Sequence, residues 1–216
     1  MKTHNNIPSS MRPIITVGAV VVVVLALGLG TRFAGAADVK AAESTGVDPA
    51  AFAKDKYTST ISPAIIKKAQ DVVLVATAIK ADAAGAAKQY GVQDGGNAPV
   101  YSVEVKGVAG AADANGLMPV VVKGLPAEIT VLIQMGPAIN GTAVRDATGT
   151  VTYQQFVNQL EYQAAATELN NQVKATVLAT VDATSLNGKS VDITGAFQYA
   201  NPAAYIVTPV KIEQAK

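Results

Sequence analysis

The stretch Val100-Tyr101-Ser102-Val103-Glu104-Val105 marks where the sequence changes from a helical pattern to a strand pattern. Its apolar and polar residues alternate with a period of 2, which is typical of a half-buried β-strand. Residues 117–123 and 128–135 repeat this pattern, and the turn residues Gly124 and Pro126 lie between them. The sequence therefore predicts three consecutive strands that form an antiparallel meander.

A helix and two further strands follow this meander. The sequence predicts a helix over residues 153–180 and strands over residues 190–199 and 205–213, with Asn201-Pro202 as the turn between the two strands. The resulting order, β-β-β-α-β-β, is that of a five-stranded OB-type barrel in which the helix after the third strand closes one end. Other α+β folds permit the same order, so the pattern favours an OB-like barrel without excluding them.

The segment before Val100 has a helical pattern instead. Ser62-Pro63 has the residue types of an N-cap followed by proline at the first helical position, and apolar residues recur after it at helical spacing. We expect one helix over residues 63–81 and a shorter one that ends at Tyr90, with a break near Gly85. These helices predict a small α-helical domain before the barrel.

The N-terminal segment predicts export from the cytoplasm. No residue from Pro13 to Thr31 is charged, and at about 1.5 Å per residue this run reaches roughly 29 Å, enough to cross the core of a bilayer. Lys2 and Arg12 precede it, which favours a cytoplasmic N-terminus and a periplasmic folded part. Ala34-Gly35-Ala36 fits a signal-peptidase site and favours cleavage near Ala36, whereas the length of the apolar run favours a retained anchor in the inner membrane. Both alternatives stay open.

The predicted organisation has four parts. Gly46 and Pro49 favour a linker between the export segment and the helices, with a short helix near residues 49–56. The parts are an export signal or membrane anchor over residues 1–36, the linker over residues 37–60, the helical domain over residues 61–98 and the OB-like α/β domain over residues 99–216.

The composition excludes several kinds of chemistry. The chain has no cysteine and one histidine, His4, which precedes the apolar run. Thiol catalysis, cysteine-ligated zinc and iron–sulfur clusters are therefore excluded, and the folded part has no imidazole for a catalytic triad or a metal site. We predict no catalytic residue, no metal site and no cofactor, and we expect a protein that is not an enzyme.

The charge of the exported part disfavours nucleic acid as a partner. Without Lys2, Arg12 and Arg32, the 17 basic residues fall to 14 against 16 acidic ones, so the formal charge is about −2. The lysines are scattered, and they do not form the basic stripe with interleaved aromatic residues that a nucleic-acid surface needs.

The loop between the third strand and the long helix contains the candidate site. Arg145 is the only arginine after Arg32, and arginine forms bidentate pairs with carboxylates or phosphates that lysine does not form. It either pairs with a protein carboxylate and holds the loop, or captures an anionic or hydroxyl-rich ligand. Asp146 is likewise either a loop-fixing acid or part of the site. The candidate ligand-binding residues are Gly136, Asn140, Thr142, Arg145 and Asp146.

The same loop carries a resemblance to a known family. Residues 134–149 (QMGPAINGTAVRDATG), 155–162 (QFVNQLEY) and 208–213 (TPVKIE) resemble the bacterial predicted periplasmic lipoproteins of domain-of-unknown-function family 2291. The resemblance extends from about Lys56 to the C-terminus and implies a helical domain joined to an OB-like domain. It also implies an accessory role in sugar uptake, because members are often encoded beside sugar ABC-transporter genes. The lipobox cysteine of these lipoproteins is missing here, so the N-terminal segment would provide any membrane anchor.

Three hypotheses follow for the function. The first is a periplasmic accessory or binding protein that acts with components of a sugar ABC transporter or with a small polar or anionic ligand. The second is an enzyme that acts on envelope carbohydrate through carboxylates alone, which needs two exposed acids within about 5 to 9.5 Å in one cleft. The third is a purely structural envelope protein, which predicts that Arg145 is buried and paired and that the barrel rim has no pocket.

Overall fold

The computed structural model describes residues 47–215. The helices are α1 (Pro49–Lys56), α2 (Ser62–Lys68), α3 (Val72–Ala81), α4 (Ala83–Tyr90), α5 (Ala143–Asp146) and α6 (Gln159–Thr176). The strands are β1 (Gln70–Asp71), β2 (Gly91–Val92), β3 (Val100–Ala109), β4 (Leu117–Val121), β5 (Thr130–Gln134), β6 (Ser190–Gln198) and β7 (Ala204–Gln214). A π-helical turn (Tyr57–Ile61) joins α1 to α2, and the 3-10 turns are Tyr153–Gln155, Leu178–Thr180 and Ala183–Leu186.

Five of the strands form a closed barrel, as the sequence predicted. The order is β3-β4-β5-β7-β6, and pairing of β6 with β3 closes the ring. All neighbours are antiparallel except β5 and β7, which run parallel. The predicted antiparallel meander is confirmed, and the helix α6 between the third and fourth barrel strands gives the OB-type order β-β-β-α-β-β. The two-residue strands β1 and β2 add to β3 outside the ring.

The side chains on the inner face of β3 fill the barrel interior. Tyr101, Val103 and Val105 are fully buried, whereas Lys106 on the other face is exposed. The ring of Phe197 stacks between Tyr101 and Tyr205, at centroid distances of 5.4 and 4.4 Å. Each large apolar side chain buried in this way contributes about 1.5–3 kcal/mol to folding, which makes the aromatic stack and the aliphatic side chains around it the main source of stability.

The helix α6 is shorter than the predicted helix over residues 153–180. Asn158 caps its N-terminus, because the Asn158 side chain accepts a hydrogen bond of 2.9 Å from the backbone N–H of Glu161. The residues before the cap form a separate 3-10 turn instead of a first helical turn. One face of α6 buries Ala165, Leu169 and Val173 in a second core between the helices and the outside of the barrel.

The predicted helix over residues 63–81 is divided in two. The backbone of Gln70–Asp71 pairs with Val103 and Glu104 of β3 and so cannot continue a helix. The carboxylate of Asp71 then accepts hydrogen bonds from the first turn of α3, including one of 2.7 Å from Val73. The second predicted helix is present as α4, and Asp82 rather than Gly85 separates it from α3.

The predicted boundaries at residues 37–60 and 61–98 differ from the structure. Residues 49–56 are helical as expected, but Ala53, Tyr57 and Ile61 are buried against α6, so the folded unit already includes α1. Their spacing of four residues is a helical signal that a linker would not have. The helices of residues 61–98 also lack a core of their own, because α3 buries its apolar face in the same core as the barrel strands.

The described part of the chain carries no membrane-spanning helix: none between residues 47 and 215 is long and apolar enough. The export segment predicted over residues 1–36, with its apolar run 13–31 and the cleavage site near Ala36, lies outside the described residues.

Tyr205 makes the stability of the barrel depend on pH in the alkaline range. Burial, and then the neighbouring Tyr199, raise the pKa of Tyr205 to about 12 from 10.0. Between these values the tyrosine ionises in the unfolded chain but not in the folded one, so stability present below pH 10 is lost as the pH rises to 12. The loss approaches about 1.4 kcal/mol per pH unit.

We expect the free energy of unfolding in urea to fall between pH 9 and pH 11.5, and to fall less steeply in Tyr205→Phe. Tyr153→Phe is the matched control, because that ring is 43% exposed. Equal slopes for the wild type and Tyr205→Phe would contradict this account of the barrel core.

Candidate functional site

The loop that the sequence singled out runs from the end of β5 through α5 to Gly149 and is fixed at its start by Gln134. This side chain is 5% exposed at the end of β5. Its Oε1 accepts from the backbone N–H of Asn140 at 2.8 Å, and its Nε2 donates to the carbonyl of Asn140 at 3.0 Å and to Oγ1 of Thr208 at 2.7 Å. One buried amide therefore ties the loop to both β5 and β7.

Two further side chains hold the middle and the end of the loop. Nδ2 of the buried Asn170 on α6 donates to the carbonyl of Gly141 at 2.9 Å. Nζ of Lys68 on α2 donates to the carbonyl of Thr148 at 2.8 Å. The loop is consequently connected to the barrel, to α6 and to the N-terminal helices.

Gly136 shapes the backbone at the start of the loop. Its φ of 88° lies in the left-handed region that favours glycine. The chain also passes Gly116 so closely that a Cβ at Gly116 would collide with the carbonyl oxygen of Gly136. This crossing fixes the start of the loop, and Gly136 lines neither of the cavities described below.

Arg145 is buried and paired within the protein. It is 7% exposed, its Nε donates to Asp146 Oδ1 at 2.6 Å and its Nη2 donates to Asp146 Oδ2 at 3.1 Å. Its Nη1 donates to the carbonyl of Tyr162 at 2.9 Å, and its guanidinium carbon lies 3.6 Å from the centroid of the Tyr162 ring. Of the two interpretations of this arginine, the structure shows the one in which it holds the loop. The planar fork and the stacking explain why lysine would not replace it.

Tyr162 completes this cluster as a neutral group. Burial, and then the charge of Asp146, raise the pKa of Tyr162 above its usual value, and Arg145 opposes this only in part. The hydroxyl therefore stays protonated and donates to Oδ1 of Asp146 at 3.4 Å. Since Arg145 covers one face of the ring and Phe156 and Tyr153 pack at 5.6 and 5.9 Å, little of the ring is left for stacking on a ligand.

A cavity of about 680 Å³ opens beside this cluster, and we call it the polar cavity. Its walls are the loop, the segment 92–98 before β3, the outer face of α6 and Gln198 at the end of β6. Of the five candidate residues, Thr142, Arg145 and Asp146 line it. The hypothesis of a purely structural protein predicted a buried, paired Arg145 and no pocket at the barrel rim. Arg145 is buried and paired, but a cavity is present.

A second cavity of about 290 Å³, which we call the apolar cavity, lies on the other side of Thr142. Asn140, the remaining candidate residue, lines this cavity instead. Gly141, Thr142 and Gln198 belong to the walls of both cavities and form the ridge between them. The apolar side chains of this cavity are Leu117, Ala138, Ala143, Ala200 and Ile206.

The sequence analysis missed the contribution of α6. Gln159, Tyr162, Gln163, Ala166 and Thr167 line the polar cavity. Their spacing of i, i+3, i+4, i+7 and i+8 is that of one helical face, which adjoins the buried face and shares Ala166 with it. This stripe of amides and hydroxyls was readable in the sequence, whereas the contributions of Asp94 and Gln198 depend on the closure of the barrel.

The polar groups that line the polar cavity are mainly amides and hydroxyls. Between residues 47 and 215 no three or more histidines or acids come together as a metal site. Asp94 and Asp146 line the same polar cavity, and the carboxylate of Asp146 is already held by Arg145. The arrangement is suited to holding a polar molecule through amides and hydroxyls.

Arg145→Lys tests the structural role of the arginine. A lysine cannot contact both carboxylate oxygens and the Tyr162 carbonyl together, so a buried polar group loses its partner at a cost of about 1–3 kcal/mol. We expect urea unfolding to show this loss. Lys56→Ala is the control, because its ion pair with Asp55 is exposed and should change stability by less than about 0.5 kcal/mol. Unchanged stability of Arg145→Lys would overturn the structural role.

Comparison with known proteins agrees with this description. A crystal structure described as an OB-fold protein from Thermotoga maritima has a TM-score of 0.62 and 20% sequence identity, and the match covers 79% of this chain and 99% of that one. This similarity shows the fold. No curated protein matches the chain. The profile of the family described as predicted periplasmic lipoprotein (DUF2291) matches residues 20–213, which is most of the sequence. This chain therefore belongs to the DUF2291 family of predicted periplasmic lipoproteins.

Proposed function

We propose that this protein is a non-enzymatic periplasmic binding module whose polar cavity takes an uncharged, hydroxyl-rich small molecule. One observation carries the proposal. Thr142 and Gln198 are half-buried at the edge of the cavity, and no residue within the described range 47–215 forms a hydrogen bond with either side chain. Both side chains can therefore exchange bound water for hydrogen bonds to the hydroxyl groups of a ligand.

The charges on the cavity wall favour a neutral ligand. The charged residues that line it are Asp94, Arg145 and Asp146. Because Arg145 and Asp146 neutralise each other, Asp94 leaves a local charge of about −1, which repels anions. The anionic part of the ligand expectation therefore has less support than the hydroxyl-rich part.

The kind of side chain also matches a hydroxyl-rich molecule. Each amide of Gln159, Gln163 and Gln198 offers two donors and an acceptor, and each sugar hydroxyl is both a donor and an acceptor. A volume of about 680 Å³ lies in the ordinary range for small-molecule sites. A monosaccharide or a disaccharide is the ligand class that fits both the size and the chemistry.

The cellular role that we propose is an accessory one beside a sugar ABC transporter. The family description supports a periplasmic location, and the binding of a sugar would connect the protein to uptake. The N-terminal segment would either hold the protein at the inner membrane through residues 13–31 or release it after cleavage near Ala36.

A thermal-shift experiment tests the binding proposal. The full chain, in a detergent without a sugar headgroup, is screened against neutral monosaccharides and disaccharides, sugar phosphates and small carboxylates. A ligand at 100 times its Kd adds about 2.7 kcal/mol to the folded state, which raises the Tm measurably. We expect the neutral sugars to raise it, and Gln198→Leu and Thr142→Val to abolish the rise without lowering the Tm of the free protein.

The matched control is Gln154→Leu, an exposed glutamine that lines neither cavity and should leave the rise intact. A rise with sugar phosphates or carboxylates alone would overturn the neutral-ligand proposal. A panel without any rise would overturn small-molecule binding and favour a structural role.

The second candidate function is the carboxylate enzyme, and the observation in its favour is that Asp94 and Asp146 line one cavity. Incubation with envelope oligosaccharides and measurement of new reducing ends separates the two functions. Release of reducing ends that Asp94→Asn abolishes would identify an enzyme, whereas binding without release supports the module.

A further inference from the structure

We infer that the ligand is amphipathic, with a hydroxyl-rich head in the polar cavity and a short alkyl or aryl group in the apolar cavity. This inference rests on the proposed function, because the head occupies the site already described. Its chemical class is a neutral glycoside with an apolar aglycone.

The two cavities are parts of one continuous surface. Gly141, Thr142 and Gln198 line both of them, so only the width of this ridge separates the two spaces. At Gly141 the ridge has no side chain, and no heavy atom lies within 4 Å of the position that a Cβ would take. A ligand that crosses the ridge at this point meets open space.

The accessible surface of the apolar cavity is mainly apolar. Two of its polar side chains, Gln134 and Thr208, bond to each other at 2.7 Å, and Gln134 also bonds to the backbone of Asn140. The hydrogen-bonding groups of these two side chains are therefore already paired within the protein. Asn115 and Asn140 add two amides at the edge of the cavity, and the apolar side chains provide most of the remaining surface to a ligand.

Ile206 is the residue that points to an apolar occupant. It lies on β7 in the wall of the apolar cavity and is 42% exposed, although its neighbours Tyr205 and Val207 are fully buried. An alkyl or aryl group placed on Ile206 and Leu117 removes apolar surface from water, and this is favourable without any directional contact. A hydroxyl group placed on Ile206 and Leu117 would gain no hydrogen bond from these two side chains.

The test compares pairs of ligands that differ only in the aglycone. Binding of the methyl and hexyl β-glycosides of glucose, galactose and mannose to the full chain is measured by calorimetry. We expect at least one hexyl glycoside to bind tenfold or more tightly than its methyl counterpart. We expect Ile206→Ser to remove this ratio and to leave the affinity for the methyl glycoside unchanged.

Two further variants control for misfolding of Ile206→Ser and for effects of a substitution outside the cavities. Ala200→Asp introduces a charge into the apolar cavity from a loop and should also remove the ratio if Ile206→Ser does not fold. Leu160→Ser changes a 76% exposed leucine that lines neither cavity, and it should keep the ratio. Partitioning of the hexyl chain into detergent is equal for all variants and cancels in the comparison.

The outcomes separate this inference from the proposed function. Equal affinity for methyl and hexyl glycosides would overturn the amphipathic ligand and leave the sugar site standing. A ratio that persists in both Ile206→Ser and Ala200→Asp would also overturn it, because the alkyl chain would then bind elsewhere. Absence of binding by every glycoside would overturn both proposals together.

Discussion

The pairing of β3 with β6 closes the barrel, and the site depends on this closure. The register runs from Val100 opposite Gln198 to Val108 opposite Ser190, so two segments far apart in the sequence become neighbours over the full length of both strands. Closure brings Gln198 to the edge of the loop and places the segment before β3 across from α6. Without it, the ring would have two open edges and the polar cavity would lack two of its walls.

The loop above this barrel combines two roles that the sequence analysis had treated as alternatives. Arg145 donates hydrogen bonds to Asp146 and to the carbonyl of Tyr162, and these contacts hold the loop. Its pairing nevertheless leaves Asp94 as the uncompensated charge on the cavity wall, and most of the other polar groups around it are amides and hydroxyls. An arginine that holds a loop can in this way shape the chemistry of a neighbouring site without offering its own charge to a ligand.

The parts of the structure that local patterns encode were predictable. The alternation from Val100 to Val105 predicted the first barrel strand, and the element order that followed from it predicted the OB-like barrel. The loop was predictable as a region of interest because Arg145 is isolated in the sequence. The buried spacing of Ala53, Tyr57 and Ile61 was also local information, and its helical signal was overlooked because Gly46 and Pro49 suggested a linker.

Long-range contacts were not predictable in this way. The bonds from Gln134 to Thr208 and from Asn170 to Gly141 join residues that only the folded barrel brings together. The break between α2 and α3 likewise results from pairing of Gln70–Asp71 with β3. The sequence of the helical segment alone does not predict this pairing. Asn140 and Arg145 are neighbours in the sequence, yet the ridge at Thr142 places them in different cavities.

Two adjoining faces of α6 have separate tasks, because one packs in the core and the other lines the polar cavity. The inner face holds Leu169 and Val173 in the core, and the outer face presents Gln159, Gln163 and Thr167 to the cavity. The outer residues take no part in core packing, so substitutions there carry little penalty in stability. The lining of the polar cavity can therefore vary in sequence while the packed residues of the same helix stay unchanged.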